Sequence, residues 1–127
     1  MSTVTAGRPQ NHTVRGKLGE QTALKLLTKA GYKIIDRNFR SKFGEIDLVA
    51  IDGDTLVFVE VKTRWSRKFG YPEEAVNYWK IRSITKTGEY YKLLHPNTPN
   101  LLRIDVVAVE VANNRILEAR LIQNVSQ

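Results

Sequence analysis

Residues Gly44-Glu45-Ile46-Asp47-Leu48-Val49-Ala50-Ile51-Asp52-Gly53-Asp54-Thr55-Leu56-Val57-Phe58-Val59-Glu60-Val61-Lys62 read as a β-hairpin. Two runs rich in Val, Ile, Leu and Phe flank Asp52-Gly53-Asp54, where a glycine can take the positive φ that a tight turn demands. With a two-residue Gly53-Asp54 loop, Asp47 faces Glu60 and Glu45 faces Lys62. Like charges directly opposite on a sheet cost about 0.2–1 kcal/mol, so this register calls for a compensating cation. Oxygen ligands from two strands, completed by waters and a phosphate, suit Mg²⁺. Lys62 follows Glu60 by the strand period of two and shares its face. The convergence depends on loop length, because a three-residue loop without a bulge sends Asp47 and Glu60 to opposite faces.

The plain alternative makes Asp47, Glu60 and Lys62 the polar side of a half-solvated hairpin, as antiparallel strands commonly show. Against it, Val57, Phe58, Val59 and Val61 are nearly continuous, as in a strand buried on both faces, where charges need partners or a metal.

Charge is distributed unevenly around this hairpin. The net charge is +7. Residues 1–42 carry nine basic and two acidic side chains, residues 43–62 one and five, residues 63–95 seven and three, and residues 96–127 three of each. An acidic centre between basic flanks is the layout expected where phosphates are steered towards a metal site; the bland reading is lysine carried for solubility. The absence of cysteine excludes disulfides and thiolate zinc sites. No apolar leader or membrane-length run is present, which favours a cytoplasmic protein without membrane contact.

The 127 residues suit one domain. Residues 1–12 read as a disordered arm and 13–127 as the folded unit. A helix is expected from about Thr13 to Ala30, with Leu18, Ala23, Leu24, Leu26 and Leu27 on its apolar side, Gly31 as its stop, and Glu20 by default a solvated residue. A strand follows over Tyr32–Arg40. Beyond the hairpin, Thr63-Arg64-Trp65-Ser66-Arg67-Lys68-Phe69-Gly70-Tyr71 interleaves cations with rings that can stack on unpaired bases or tuck into the core. A long helix is expected from Pro72 to about Leu94, with Val76, Trp79, Ile84, Tyr91 and Leu94 at helical spacing. Its Gly88 marks a close contact. Strands over Leu101–Val111 and Arg115–Ile122, joined by an Asn113-Asn114 turn, close the chain, the last at an edge. His12 and His95 form no triad, and no nucleophile elbow, P-loop or dinucleotide fingerprint occurs.

The order helix, strand, hairpin carrying Asp and Glu-x-Lys, helix, strand resembles the PD-(D/E)XK nuclease superfamily, especially its archaeal Holliday-junction-resolvase branch. More narrowly, the chain resembles the YraN family of small bacterial proteins. The match rests on Gly19-Glu20, Gly31-Tyr32, Arg37-Asn38, Gly44-Glu45-Ile46-Asp47-Leu48, Phe58-Val59-Glu60-Val61-Lys62-Thr63-Arg64, Phe69-Gly70, Glu74-Ala75-Val76, Lys80 and Arg103-Ile104-Asp105-Val106-Val107. It implies a restriction-endonuclease-like three-layer α/β/α fold with a central mixed sheet, and a Mg²⁺- or Mn²⁺-dependent endonuclease acting on DNA, branched or otherwise structured. Asp47 and Glu60 would be metal ligands with the Val61 carbonyl. Lys62 would orient the attacking water or offset phosphate charge, and Glu20 would join the catalytic set from the first helix. Arg40, Lys42, Arg64, Arg67, Lys68 and Lys80 are the candidate nucleic-acid contacts, and resolvase relatives suggest a homodimer. Ile46 stands where the superfamily usually has proline. The alternative function is a non-catalytic nucleic-acid-binding module that keeps the fold.

Overall fold

The computed structural model describes residues 14–66, 68 and 70–125. The proposed arm, Thr13, Arg67 and Phe69 lie outside the described residues. The elements are α1 (Val14–Lys29), β1 (Lys33–Ser41), β2 (Gly44–Asp52), β3 (Thr55–Arg64), a single 3₁₀ turn (Pro72–Ala75), α2 (Tyr78–Leu94), β4 (Leu101–Ala112) and β5 (Arg115–Ile122). The strands form one sheet in chain order, β1 to β5. All neighbours are antiparallel except β3 and β4, which run parallel. The parallel pair requires a crossover, and α2 supplies it.

Pairs from Asp52↔Thr55 to Leu48↔Val59 give the two-residue loop that the sequence predicts. Gly53 has φ +61°. Asn113 and Asn114, at φ +51° and +60°, make the turn between β4 and β5, with both central residues in the left-handed region that asparagine tolerates. The helices cover opposite faces of the sheet. On one face Ala23 and Leu27 of α1 pack with Leu48, Ala50, Val57, Val59, Val107 and Val109. On the other, Ile84 and Tyr91 of α2 pack with Ile46, Val49, Leu56, Phe58 and Ile104. The chain is therefore a three-layer α/β/α domain. Burial on both sides explains why β3 reads as an unbroken apolar run rather than an alternation.

The single long helix expected from Pro72 does not form. Asn77 adopts an extended conformation and its side chain accepts the Lys80 N–H, capping α2 there. The earlier Pro72-Glu73-Glu74-Ala75 segment is a separate turn, held to β5 by the Arg120–Glu73 ion pair at 2.6 Å. The helical apolar set is also only partly correct. Ile84 and Tyr91 are buried, whereas Trp79 and Leu94 are exposed.

Close backbone approach sets the height of α2 above the sheet. A Cβ on Gly88 would lie 2.5 Å from the Phe58 ring, and one on Gly44 would lie 2.2 Å from Ser83 Oγ. Ser83 also donates to the Phe43 carbonyl at 2.7 Å. The glycine that opens β2 thus lets the helix rest directly on the strand carrying Asp47.

A second buried polar group ties the chain's C-terminal part to the sheet. Asp105, fully buried, accepts from Tyr32 Oη at 2.6 Å, Arg103 Nε at 3.0 Å and the Asn124 N–H at 2.9 Å. Arg103 bridges on to Asp52 at 2.7 Å, which satisfies the buried charge.

Candidate active site

The β2–β3 ladder stops at Leu48↔Val59, while β3 continues beside β4 from Glu60↔Val106 to Arg64↔Glu110. β2 instead stays with β1 through Phe39↔Ile46 and Arg40↔Glu45. The two strands therefore part just where the acids stand. Glu45 does not face Lys62 as the extended register would require; the fork carries it to Arg40, with Nε–Oε2 at 3.2 Å. Asp47 lies at the fork, and its Oδ2 accepts the Val61 N–H at 2.8 Å. A carboxylate thus fills the place of the missing strand partner, as a buried N–H requires.

Asp47 and Glu60 are close enough for each to shift the titration of the other. Burial, reinforced by the neighbouring Asp47 charge, pushes the Glu60 carboxyl up to about 8. Asp47 is raised as well, by burial first and then by the charge of Glu45, with the Val61 N–H acting against both. Both shifts disfavour ionising the two carboxyls together. Lys80 Nζ stands 3.5 Å from Glu60 Oε2 and partly offsets the pair. This residue was expected on the outer basic surface; its position on the first turn of α2 brings it onto the acids.

The structure brings together Asp47, Glu60, the Val61 backbone and Lys80. Lys62 continues the Glu60 face of β3, half-buried and paired in register with Ala108, and its ammonium joins no ion pair among the described residues. Glu20 is half-buried on α1, beside Gly19, where a Cβ would meet Thr63 Oγ1 of β3 at 2.2 Å. It does not complete a three-carboxylate cluster: among the described residues no group of three or more His, Asp or Glu could hold a metal. Two buried carboxyls short of positive charge still fit a divalent cation whose other ligands are backbone carbonyl, water and phosphate. The available donor set is Asp47, Glu60 and the Val61 carbonyl.

The candidate phosphate contacts are dispersed. Arg40 is engaged by Glu45, and Lys42 lies 5.3 Å from the Phe43 ring centroid. Arg64 has a buried Nε with no hydrogen-bond partner among the described residues. Lys68 is exposed, and its backbone N–H donates to Ser66 Oγ at 3.1 Å. Trp65 packs against the core on the α1 side instead of standing out from its loop.

A three-layer domain with a Glu-x-Lys strand forking from an aspartate strand is the class that fold and site define. The chain belongs to the uncharacterised protein family UPF0102, whose model matches residues 19–109 and which is the YraN family resembled above. It is 41% identical over 107 residues to a UPF0102 protein of Persephonella marina, covering 84% of this chain and 90% of that one. It is 46% identical over 110 residues to one of Caldicellulosiruptor saccharolyticus, covering 86% and 93%. With one of Symbiobacterium thermophilum it shares 49% over 109 residues, covering 86% and 92%. Among the described residues no helix is long and apolar enough to cross a membrane.

Proposed function

We propose that this protein is a metal-dependent nuclease that hydrolyses phosphodiester bonds in DNA. The observation that carries the reading is the meeting of Asp47 and Glu60 at the fork between β2 and β3, buried and with Glu60 raised to about 8. An acid pair that destabilises itself when ionised is the chemistry of a cation site. A bound Mg²⁺ or Mn²⁺ would supply Lewis-acid polarisation of the phosphate and a water of lowered pKa.

The chain's own groups divide the remaining work. Asp47 and Glu60 would hold the cation, with the Val61 carbonyl as a third oxygen. The Asp47–Val61 hydrogen bond fixes the carboxylate so that little reorganisation is needed. Lys62, on the face of Glu60 and without an ion pair among the described residues, places its ammonium against charge growing on the phosphate or against the attacking water. Glu20 acts indirectly from α1 through water. Lys80, 3.5 Å from Glu60, partly neutralises the acid pair and places a cation beside the site where phosphate would bind. Arg40, Lys42, Arg64, Arg67 and Lys68 supply the cationic approach for the DNA backbone.

The test is calorimetric titration with Mg²⁺ and Mn²⁺, wild type beside Asp47→Ala, with linear, flapped and four-way DNA assayed for nicking. Binding and metal-dependent nicking by wild type alone are expected, and Lys62→Ala should bind DNA but not cut it. No metal binding by wild type, even with DNA present, would remove the nuclease reading. Binding to DNA unaffected by Asp47→Ala and Lys62→Ala, without cleavage, would favour a module that only binds.

A further inference from the structure

The first turn of α2 carries two large aromatic side chains facing water. Tyr78 is 64% and Trp79 72% exposed, and their rings meet edge to face with centroids 5.1 Å apart. Trp79 falls at a position where helical spacing predicts a core residue, yet Ile84 and Tyr91 fill the core without it. Exposed aromatic surface of this size is uncommon unless something covers it.

We propose that Tyr78 and Trp79 form a stacking platform for an unpaired base of a DNA strand whose backbone lies against the acid pair. This rests on the nuclease reading for the identity of the strand and extends it to the kind of substrate: DNA with a single-stranded segment beside the attacked phosphate. Continuity with the acid pair argues for a nucleotide over a protein surface. Trp79 is the residue before Lys80 on the first turn of α2, and the Lys80 ammonium reaches Glu60 at 3.5 Å, so a strand lying against the acids passes the edge of the helix that carries Trp79. Charge argues the same way. Arg82 hydrogen-bonds Tyr78 Oη at 3.4 Å, and with Lys86 it outnumbers the one acid, Glu89, in a groove of about 580 Å³ that Tyr78, Ile81 and Val125 also line. Cations tracking a backbone beside rings open to solvent is the composition of a single-strand binding surface. The close approach of Gly44 to Ser83 and of Gly88 to Phe58 seats α2 directly on the strands that carry the acids.

The test uses full-length wild type, Trp79→Ala and Trp79→Phe in EDTA, so that nothing is cleaved. A fluorescently labelled oligothymidylate and a duplex of equal length are titrated by anisotropy, with tryptophan emission followed in parallel. Trp79→Ala should weaken oligothymidylate binding about tenfold or more, with less than a twofold change for duplex, and Trp79→Phe should retain most of the affinity. Saturable quenching of wild-type emission by the oligonucleotide should be absent in Trp79→Ala. Equal loss for both probes, no oligonucleotide binding by wild type, or a change in oligomeric state in Trp79→Ala with DNA binding intact would overturn the proposal. Metal-dependent nicking by a protein that fails this test would leave the nuclease reading standing; base stacking by a protein that never cuts would overturn that reading alone.

Discussion

Asp47 Oδ2 accepts the Val61 N–H at 2.8 Å across the point where β2 and β3 separate. One side chain therefore closes the open end of a ladder and supplies half of an acid pair. These roles separate by substitution. Asparagine keeps an oxygen that accepts the Val61 N–H, whereas alanine leaves that donor unsatisfied at a cost of about 1–3 kcal/mol. Asp47→Asn should exceed Asp47→Ala in urea-unfolding stability by about that amount, while both bind the cation much more weakly than wild type. Equal stability of the two would show that the Val61 N–H is satisfied in some other way.

Glu60 sets a pH dependence with a definite sign. Its ordinary value of 4.5 is raised in the folded protein to about 8, so between these values the folded state holds a proton that the unfolded chain has lost. Stability is then fully present below about 4.5 and declines as pH rises to about 8, by at most about 1.4 kcal/mol per pH unit. The raised Asp47 adds in the same direction. Glu60→Gln, uncharged throughout, should flatten the decline and be more stable than wild type above about pH 8 when metal is absent. Denaturant midpoints across this range in EDTA decide it. A wild-type midpoint that rises through the range would contradict the shift.

Contact between α2 and the sheet gives a test of the architecture independent of chemistry. Gly88→Ala improves helix propensity by about 1 kcal/mol in isolation, but here the new methyl would stand 2.5 Å from Phe58. Overpacking of this kind costs about 1–3 kcal/mol, so the variant should be less stable than wild type. Adding Phe58→Leu should recover part of the loss through a coupling of about 0.5–3 kcal/mol, measured in a double-mutant cycle. Additive losses would mean that helix and strand do not touch there.

Much of this fold is legible in the residues because local signals agree with the global arrangement. Asp52-Gly53-Asp54 names its own turn, and the turn fixes the parity that brings Asp47 to Glu60. The apolar run Val57–Val59 announces a strand covered on both sides. What the residues do not reveal is where pairing ends. Extending the hairpin register puts Glu45 opposite Lys62, but the fork after Leu48↔Val59 sends Glu45 to Arg40. Lys80 likewise reads as one more surface cation, because nothing local says that α2 begins at Asn77 and lands its first turn on Glu60. The signal available was Asn77 itself, an N-cap residue ahead of the helix. Trp79 is missed for a similar reason: α2 starts at Tyr78 instead of Pro72, and its core face is filled by Ile84 and Tyr91 while Trp79 faces water.

The proton held by Glu60 also predicts how a cation should bind. A carboxyl must ionise before it ligates, so binding to this pair displaces the proton. With Glu60 at about 8, Mg²⁺ or Mn²⁺ affinity should rise with pH up to that value, approaching about tenfold per unit where one proton is exchanged. Near neutrality, titration calorimetry in buffers of different ionisation enthalpy should show close to one proton released per cation. Glu60→Gln should abolish the buffer dependence along with most of the affinity, since its amide neither titrates nor carries charge. Asp47→Asn gives the control: removing the neighbouring charge lets Glu60 fall towards its ordinary value, so the cation affinity that remains should release fewer protons than wild type. Tight binding with no buffer dependence would place the cation away from the Asp47–Glu60 pair.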